Sequence, residues 1–291
     1  MQTRGFGDTG YRVTVLGYGA MALRNVDEAQ AARLLNAVLD HGITFIDTAP
    51  DYGPSEDYIG RAIAHRRHEY VLATKCGCNV PRGEGPSHIW TGAQLRHNIE
   101  HSLGRLNTDY VDIWQIHSAN PEDLEGTDVI ETLLRIRDEG KVRHVAVSMA
   151  GASEGYGYTQ LAGYLSWDAF EAIQVWYSAF IRHSEALITQ AAAKGWGTII
   201  RGLVRPPFDS TNDEHFEKAN LDDLRGPGES RARFLLRFGI SHPDLHTAIV
   251  GTGSLDHLAD NVRAAEAGPL TDDLLAEAKR RLTDAGYRVG L

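Results

Sequence analysis

The chain has 291 residues, 42% of them apolar and 23% charged, with a net charge of −10. That length suits one α/β barrel, the composition is that of a soluble globular protein, and the acidic balance argues against nucleic acid as the main partner. No run of about 18 apolar residues occurs, so no membrane span is expected; Met1–Gly5 shows no apolar signal core and two cysteines, Cys76 and Cys78, make no disulfide framework, so a cytoplasmic setting is expected.

In chain order, residues 3–13 read as a hairpin turning at Asp8-Thr9-Gly10. Residues 13–19 follow as the first core strand. From there strand-like and helix-like runs alternate. Strands are expected near 43–47, 70–75, 110–116, 143–148, 171–175, 197–201 and 246–250, and helices near 27–40, 56–66, 92–105, 124–139, 157–165, 184–194, 229–238 and 255–266. In the first of these helices Asp27 can cap the start, Ala32, Leu35 and Leu39 share a face, and His41-Gly42 ends it. Runs such as Ala248-Ile249-Val250 are apolar without alternation, as strands covered on both faces are. Eight such units without a long linker favour a single-domain (β/α)8 TIM barrel over residues 1–291, with an amino-terminal β-hairpin and an extra helix at 271–285. Residues 202–228 read as the longest irregular loop, holding Pro206-Pro207 and Gly226-Pro227-Gly228.

Three consecutive strands finish in a chemically active side chain. The run Ile43–Asp47 ends in a carboxylate, Tyr70–Lys75 in an ammonium, and Tyr110–His117 in an imidazole; Tyr52 follows five residues after Asp47. In a barrel, strand carboxyl ends share one rim and carry the active site. A tyrosine with a pKa near ~10 is a poor acid at neutral pH. A neighbouring ammonium favours its phenolate, a carboxylate keeps that ammonium charged, and an imidazole can orient a carbonyl oxygen. Such a device delivers a proton but no hydride, so a nicotinamide cofactor is implied. Singly, Asp47 reads as well as a loop cap, Lys75 as a solvated strand end and Tyr52 as loop packing; the four together point to catalysis. Cys76 and Cys78 read as packing or pocket lining, and His65/His68 and His97/His101 as solvated helix faces, so no metal is expected.

Asp47…Tyr52, Lys75 in Ala-Thr-Lys-Cys and His117 in Trp-Gln-Ile-His resemble the catalytic tetrad of the aldo-keto reductases. Phe45–Ala49, Ser102–Asp112 and Gly140–Arg143 resemble that family's signatures in the family's order. The resemblance implies reduction of a small aldehyde or ketone with Tyr52 as proton donor, and NADPH, with NADH as the alternative, bound without a Rossmann fold. It assigns Ser148 and Gln174 to the nicotinamide carboxamide, with Met149 standing where the family usually has Asn. Arg201 stands where many members stack an aromatic ring on the nicotinamide, and a guanidinium can stack there too; a salt bridge to a loop carboxylate is the other reading. Gly251, Thr252, Gly253 and Ser254, with His257 and Asn261 on the following helix, resemble the adenosine and phosphate site, a helix amino terminus being a natural anion site. Trp90, Trp176 and Tyr18 are pocket candidates by position. Two rivals remain: a redox-sensing regulatory or binding protein with the same fold, and a barrel metal hydrolase, for which no His-x-His pair stands at a strand end. Oligomeric state is not legible.

Overall fold

Strands apolar on both faces need cover on both, and closing them into a ring wrapped by helices provides it. The computed structural model describes residues 1–81, 85–149, 162–205, 211–287 and 289. Two strands, β1 (Thr3–Gly5) and β2 (Arg12–Thr14), form an antiparallel hairpin. Eight more form a closed, all-parallel barrel: β3 (Leu16–Gly19), β4 (Phe45–Asp47), β5 (Val71–Cys76), β6 (Val111–His117), β7 (Val142–Ser148), β8 (Ala172–Trp176), β9 (Gly197–Arg201) and β10 (Thr247–Val250), with β10 returning to pair with β3. The expected strand at 13–19 is therefore shared between hairpin and barrel.

Side chains alternate across a strand, so every second residue enters the barrel. Phe45, Val71, Ala73, Ile113, Ala146, Ala172, Ile199 and Ile249 form one interior apolar cluster, and Phe6 from the hairpin turn packs into it. Phe6 is fully buried, its ring centroid 5.6 Å from that of Phe45. A Cβ on Gly197 would stand 2.4 Å from the Phe6 ring, so glycine at the start of β9 makes room for the plug. The hairpin thus seals the amino-terminal end of the barrel. Two residues further along the same strands, the interior positions are Asp47, Lys75, Gln115, Ser148, Gln174 and Arg201, which places polar groups at the opposite, carboxyl end.

The larger apolar cluster lies outside the barrel, between strands and helices. Helix Glu28–Asp40 buries Ala31, Leu34, Leu35, Val38 and Leu39, one residue off the face expected through Ala32; Asp27 Oδ1 caps it, accepting from Gln30 N at 2.7 Å. Gly42, with φ +74°, lets the chain turn out of it. The helix expected at 56–66 is shorter, Ser55–Ile63, and continues as a 3-10 turn over Ala64–Glu69. The one expected at 124–139 is Val129–Asp138, preceded by a single turn Pro121–Leu124. Most of the segment expected as a helix at 157–165 lies outside the described residues. The stretch read as one irregular loop at 202–228 contains helix Asn212–Ala219, opened by a reciprocal Thr211/Glu214 cap, and a 3-10 turn Asp222–Leu224. The extra helix is Asp272–Asp284.

Candidate active site

The strand register brings the polar layer together. Asp47 neighbours Ala73, Lys75 neighbours Gln115, His117 neighbours Ser148, Ser148 neighbours Gln174, and Trp176 neighbours Arg201. At its centre the Lys75 ammonium, fully buried, donates to Asp47 Oδ2 at 2.7 Å and to the Thr48 carbonyl at 2.8 Å. The other carboxylate oxygen, Oδ1, accepts from Gln115 Nε2 and from Gln174 Nε2, both at 2.7 Å. Ser148 Oγ in turn donates to Gln174 Oε1 at 3.0 Å. Every oxygen of the carboxylate is used, so the buried pair carries no uncompensated charge. Burial works against the Lys75 charge, but Asp47 and Tyr52 outweigh it and hold its pKa above the ordinary lysine value.

Tyr52 sits in the loop after β4, with the Lys75 Nζ 4.9 Å from its ring centroid. Arg105, in the Ser102–Asp112 stretch, clamps this loop: Nη1 donates to the Pro50 carbonyl at 3.1 Å, Nη2 donates to the Gly53 carbonyl, and Nε donates to Asp57 Oδ2 at 2.9 Å. The expectation that Lys75 would lower the Tyr52 pKa meets a stronger opposing effect. Burial raises it first, Asp47 and Asp51 add to the rise, and Lys75 and Arg201 pull only partly back. The phenol is therefore protonated at neutral pH, the form that can donate.

His117 ends β6 with its ring centroid 6.2 Å from that of Tyr52. Burial, then Lys75, His88 and Arg201, push its pKa well below the usual histidine range, so the imidazole is neutral. The four residues Asp47, Tyr52, Lys75 and His117 thus meet as anticipated.

Above them a cavity of about 620 Å³, lined by Tyr52, His117, Ser148 and Gln174 among others, adjoins one of about 450 Å³ that reaches Gly251. The two share Met21, Arg24, Tyr52, Gln174 and Arg201, and so form one trough across the barrel mouth. Three residues past Gly251, Ser254 caps helix Leu255–Ala267, its Oγ accepting from His257 N at 3.4 Å, while Thr252 Oγ1 accepts from Ser254 N at 3.0 Å. A Cβ on Gly251 would come within 2.6 Å of the Gly19 carbonyl oxygen, so glycine lets the chain leaving β10 pass this close to the end of β3. A trough that runs from this polar floor to Gly251, three residues before a capped helix amino terminus, offers room for a dinucleotide.

Arg201 donates from Nη2 to the Met149 carbonyl and stacks on Trp176, its guanidinium carbon 4.7 Å from the indole centroid. Among the described residues it makes no ion pair. His257 is exposed and Asn261 half-buried on the helix beyond the trough. Tyr18 is buried, donating to the Thr252 carbonyl at 2.8 Å, and shapes the loop at 251–254 from beneath. Trp90 stacks parallel to His88, centroids 5.6 Å apart. Gln115, Arg24 and Met21 were not anticipated; strand alternation from His117 back to Gln115 was the available signal for the first.

The chain is matched by the model of the Aldo/keto reductase family over residues 15–281. The chain belongs to the aldo/keto reductase family. Family membership makes it an oxidoreductase of small carbonyl compounds. It is 26% identical over 298 residues to "Uncharacterized oxidoreductase YqkF" of Bacillus subtilis (strain 168), covering 94% of each chain. It is 31% identical over 252 residues to "Aldo-keto reductase YhdN" of the same organism, covering 80% of this chain and 72% of that one. Among solved structures it resembles aldo-keto reductase AKR11C1 from Bacillus halodurans in its holo form, with a TM-score of 0.83 and 26% identity over 99% of this chain and 98% of that one. No helix among the described residues is long and apolar enough to cross a membrane.

Proposed function

We propose that this family member reduces an aldehyde or ketone to the alcohol, with Tyr52 as the proton donor and NADPH preferred over NADH. The cofactor, when bound, supplies the hydride. Everything else is done by the chain. Tyr52 gives its phenolic proton to the carbonyl oxygen as that oxygen gains charge, and Lys75 beside the ring stabilises the phenolate left behind. Asp47, fixed by Gln115 and Gln174, holds Lys75 charged and in place. Neutral His117 donates a hydrogen bond that orients the carbonyl oxygen toward Tyr52. Ser148 and Gln174, ordered by their mutual hydrogen bond, supply remaining polar valences to the nicotinamide amide, and Arg201 offers a flat face at the ring's edge. The observation that carries the reading is the buried Lys75–Asp47 pair beside a protonated Tyr52 at the floor of the trough.

The substrate side of the trough is lined by Asp51, Asn79, Ser87, His101 and Arg105 beside Pro50, Val80 and Pro81, and those donors and acceptors suit a hydroxylated carbonyl compound. One relative, 26% identical over 288 residues, is the "L-galactose dehydrogenase" of Arabidopsis thaliana, a name consistent with such a site. Following NADPH consumption over a panel of aldehydes, ketones and keto-sugars tests both statements. Turnover highest on hydroxylated carbonyls supports them; no turnover on any carbonyl removes the reductase reading, and highest turnover on long-chain apolar aldehydes removes the substrate class.

A further inference from the structure

We infer that Asp51, Cys78, His88 and His117 form a binding site for a borderline-soft divalent cation such as Zn²⁺, at the substrate side of the trough. Their ligand atoms all lie within 4.8 Å of one another. His117 Nδ1 is the hub: it lies 3.3 Å from Cys78 Sγ, 3.2 Å from His88 Nε2 and 3.8 Å from Asp51 Oδ2. A tetrahedral zinc ion, with sulfur at about 2.3 Å and nitrogen or oxygen at about 2.0–2.2 Å, sets its ligand atoms roughly 3.3–3.6 Å apart. The three separations from His117 Nδ1 bracket that figure, and the remaining pairs, within 4.8 Å, close by up to about 1.2–1.5 Å when an ion is bound.

Hydrogen bonding accounts for this cluster less well. The Nδ1 of a neutral imidazole has either one hydrogen or one lone pair, and so can serve one partner. Here a thiol, a second imidazole and a carboxylate converge on it. A cation among them satisfies all four groups at once, with one lone pair from each.

The donors are held in place by the backbone rather than gathered by chance. Cys78 and His88 face each other across a short antiparallel bridge, fastened by Asn79 N to the Ser87 carbonyl at 2.9 Å and Ile89 N to the Gly77 carbonyl at 2.7 Å. Gln94 Nε2 and Asn98 Nδ2 both donate to the Cys78 carbonyl, at 2.7 and 2.9 Å. The His88 ring is stacked on Trp90, and its Nδ1 lies 3.3 Å from Ser87 Oγ, which lets that nitrogen keep its hydrogen and leaves Nε2 to coordinate. Trp90 gets this close because Gly77, at φ +83°, has no Cβ to strike its ring. Binding forms one metal–sulfur, two metal–nitrogen and one metal–oxygen bond, and the Cys78 thiol releases its proton to solvent with no change of oxidation state. A tetrahedral Cys-His-His-Asp set selects zinc or cobalt over magnesium or calcium. Because the ion takes a lone pair of His117 and draws Asp51 in from the trough wall, its occupancy lowers carbonyl turnover; that consequence, unlike the binding itself, rests on the reductase reading.

Titrating Co²⁺ into the untagged, fully reduced protein tests the site through the near-ultraviolet charge-transfer band of a cobalt–thiolate bond. The expected result is a band that saturates at one Co²⁺ per chain, disappears in Cys78→Ser, persists in Cys76→Ser, and needs roughly 10-fold more metal or beyond in His88→Ala. Absence of the band, its survival in Cys78→Ser, or unchanged affinity in His88→Ala overturns the proposal. In parallel, Zn²⁺ should depress kcat/KM of the native protein more than that of His88→Ala. A protein that binds cobalt as expected but turns over no carbonyl loses the reductase reading and keeps the site; normal turnover without a cobalt band does the reverse.

Discussion

At the scale of single residues, the proposed chemistry rests on the buried Asp47–Lys75 pair and Tyr52, and their charges have signs that can be checked. Tyr52 and Lys75 both hold their protons more tightly folded than unfolded. Each therefore adds stability that is fully present below its unfolded pKa, near ~10, and lost as pH rises through the folded value. Carbonyl reduction should hold level across neutral pH and fall only above about pH 10; a fall centred near neutrality would show that the acid is another group. Lys75→Met leaves Asp47 with its two amide donors but no counter-charge, and should cost about 3 kcal/mol in chemical denaturation, the low end for a broken buried pair. Adding Asp47→Asn should then cost nothing more. Additive losses would mean that the two side chains act independently. Burial, the one contribution to the Tyr52 pKa that the residue order does not contain, turned the expected direction around.

At the scale of elements, what the sequence made legible was whatever repeats along the chain. Apolar runs without alternation marked the barrel strands, and a charged or polar residue at or near the end of six of them, β4 to β9, marked the rim. Less legible was anything set by contacts distant in sequence. Cys78 and His88 meet because a short ribbon pairs Gly77 with Ile89, and no spacing within ten residues announces that. Helix Asn212–Ala219 was hidden because it is nearly all polar, although Thr211 and Glu214 spell its cap. The loop carrying Tyr52 is likewise fixed from afar, by Arg105 on helix Gly92–Leu106. Arg105→Ala removes those carbonyl bonds and the ion pair to buried Glu56, 3.5 Å away. Stability should drop by about 1–3 kcal/mol, while kcat falls roughly 10- to 100-fold as Tyr52 loses its position. An unchanged kcat, measured below the unfolding temperature, would show that the loop needs no clamp.

At the scale of the whole molecule, the barrel separates stability from function by its two ends: Phe6 plugs one, and the trough opens at the other. On the proposed reading, cofactor choice belongs to that trough. The family often places Lys or Arg near the start of the last barrel helix, but here Gly251 and His257 stand there, and the Thr252 and Ser254 hydroxyls are already engaged in capping. The helix terminus contributes about 0.3–1 kcal/mol toward a phosphate, a remaining hydroxyl hydrogen bond about 1.5–3, and exposed Asp256 opposes both. NADPH should be preferred over NADH by tens-fold in kcat/KM, and equal values or a preference for NADH would show that this loop holds no phosphate. The central claim, hydride from the cofactor and proton from Tyr52, is tested most directly with NADPH deuterated at the transferable position. The carbinol carbon of the product should carry one deuterium per NADPH consumed, and Tyr52→Phe should bind the cofactor as before while forming labelled product about 10²- to 10⁴-fold more slowly. Unlabelled product, or undiminished transfer in the Phe variant, would contradict it.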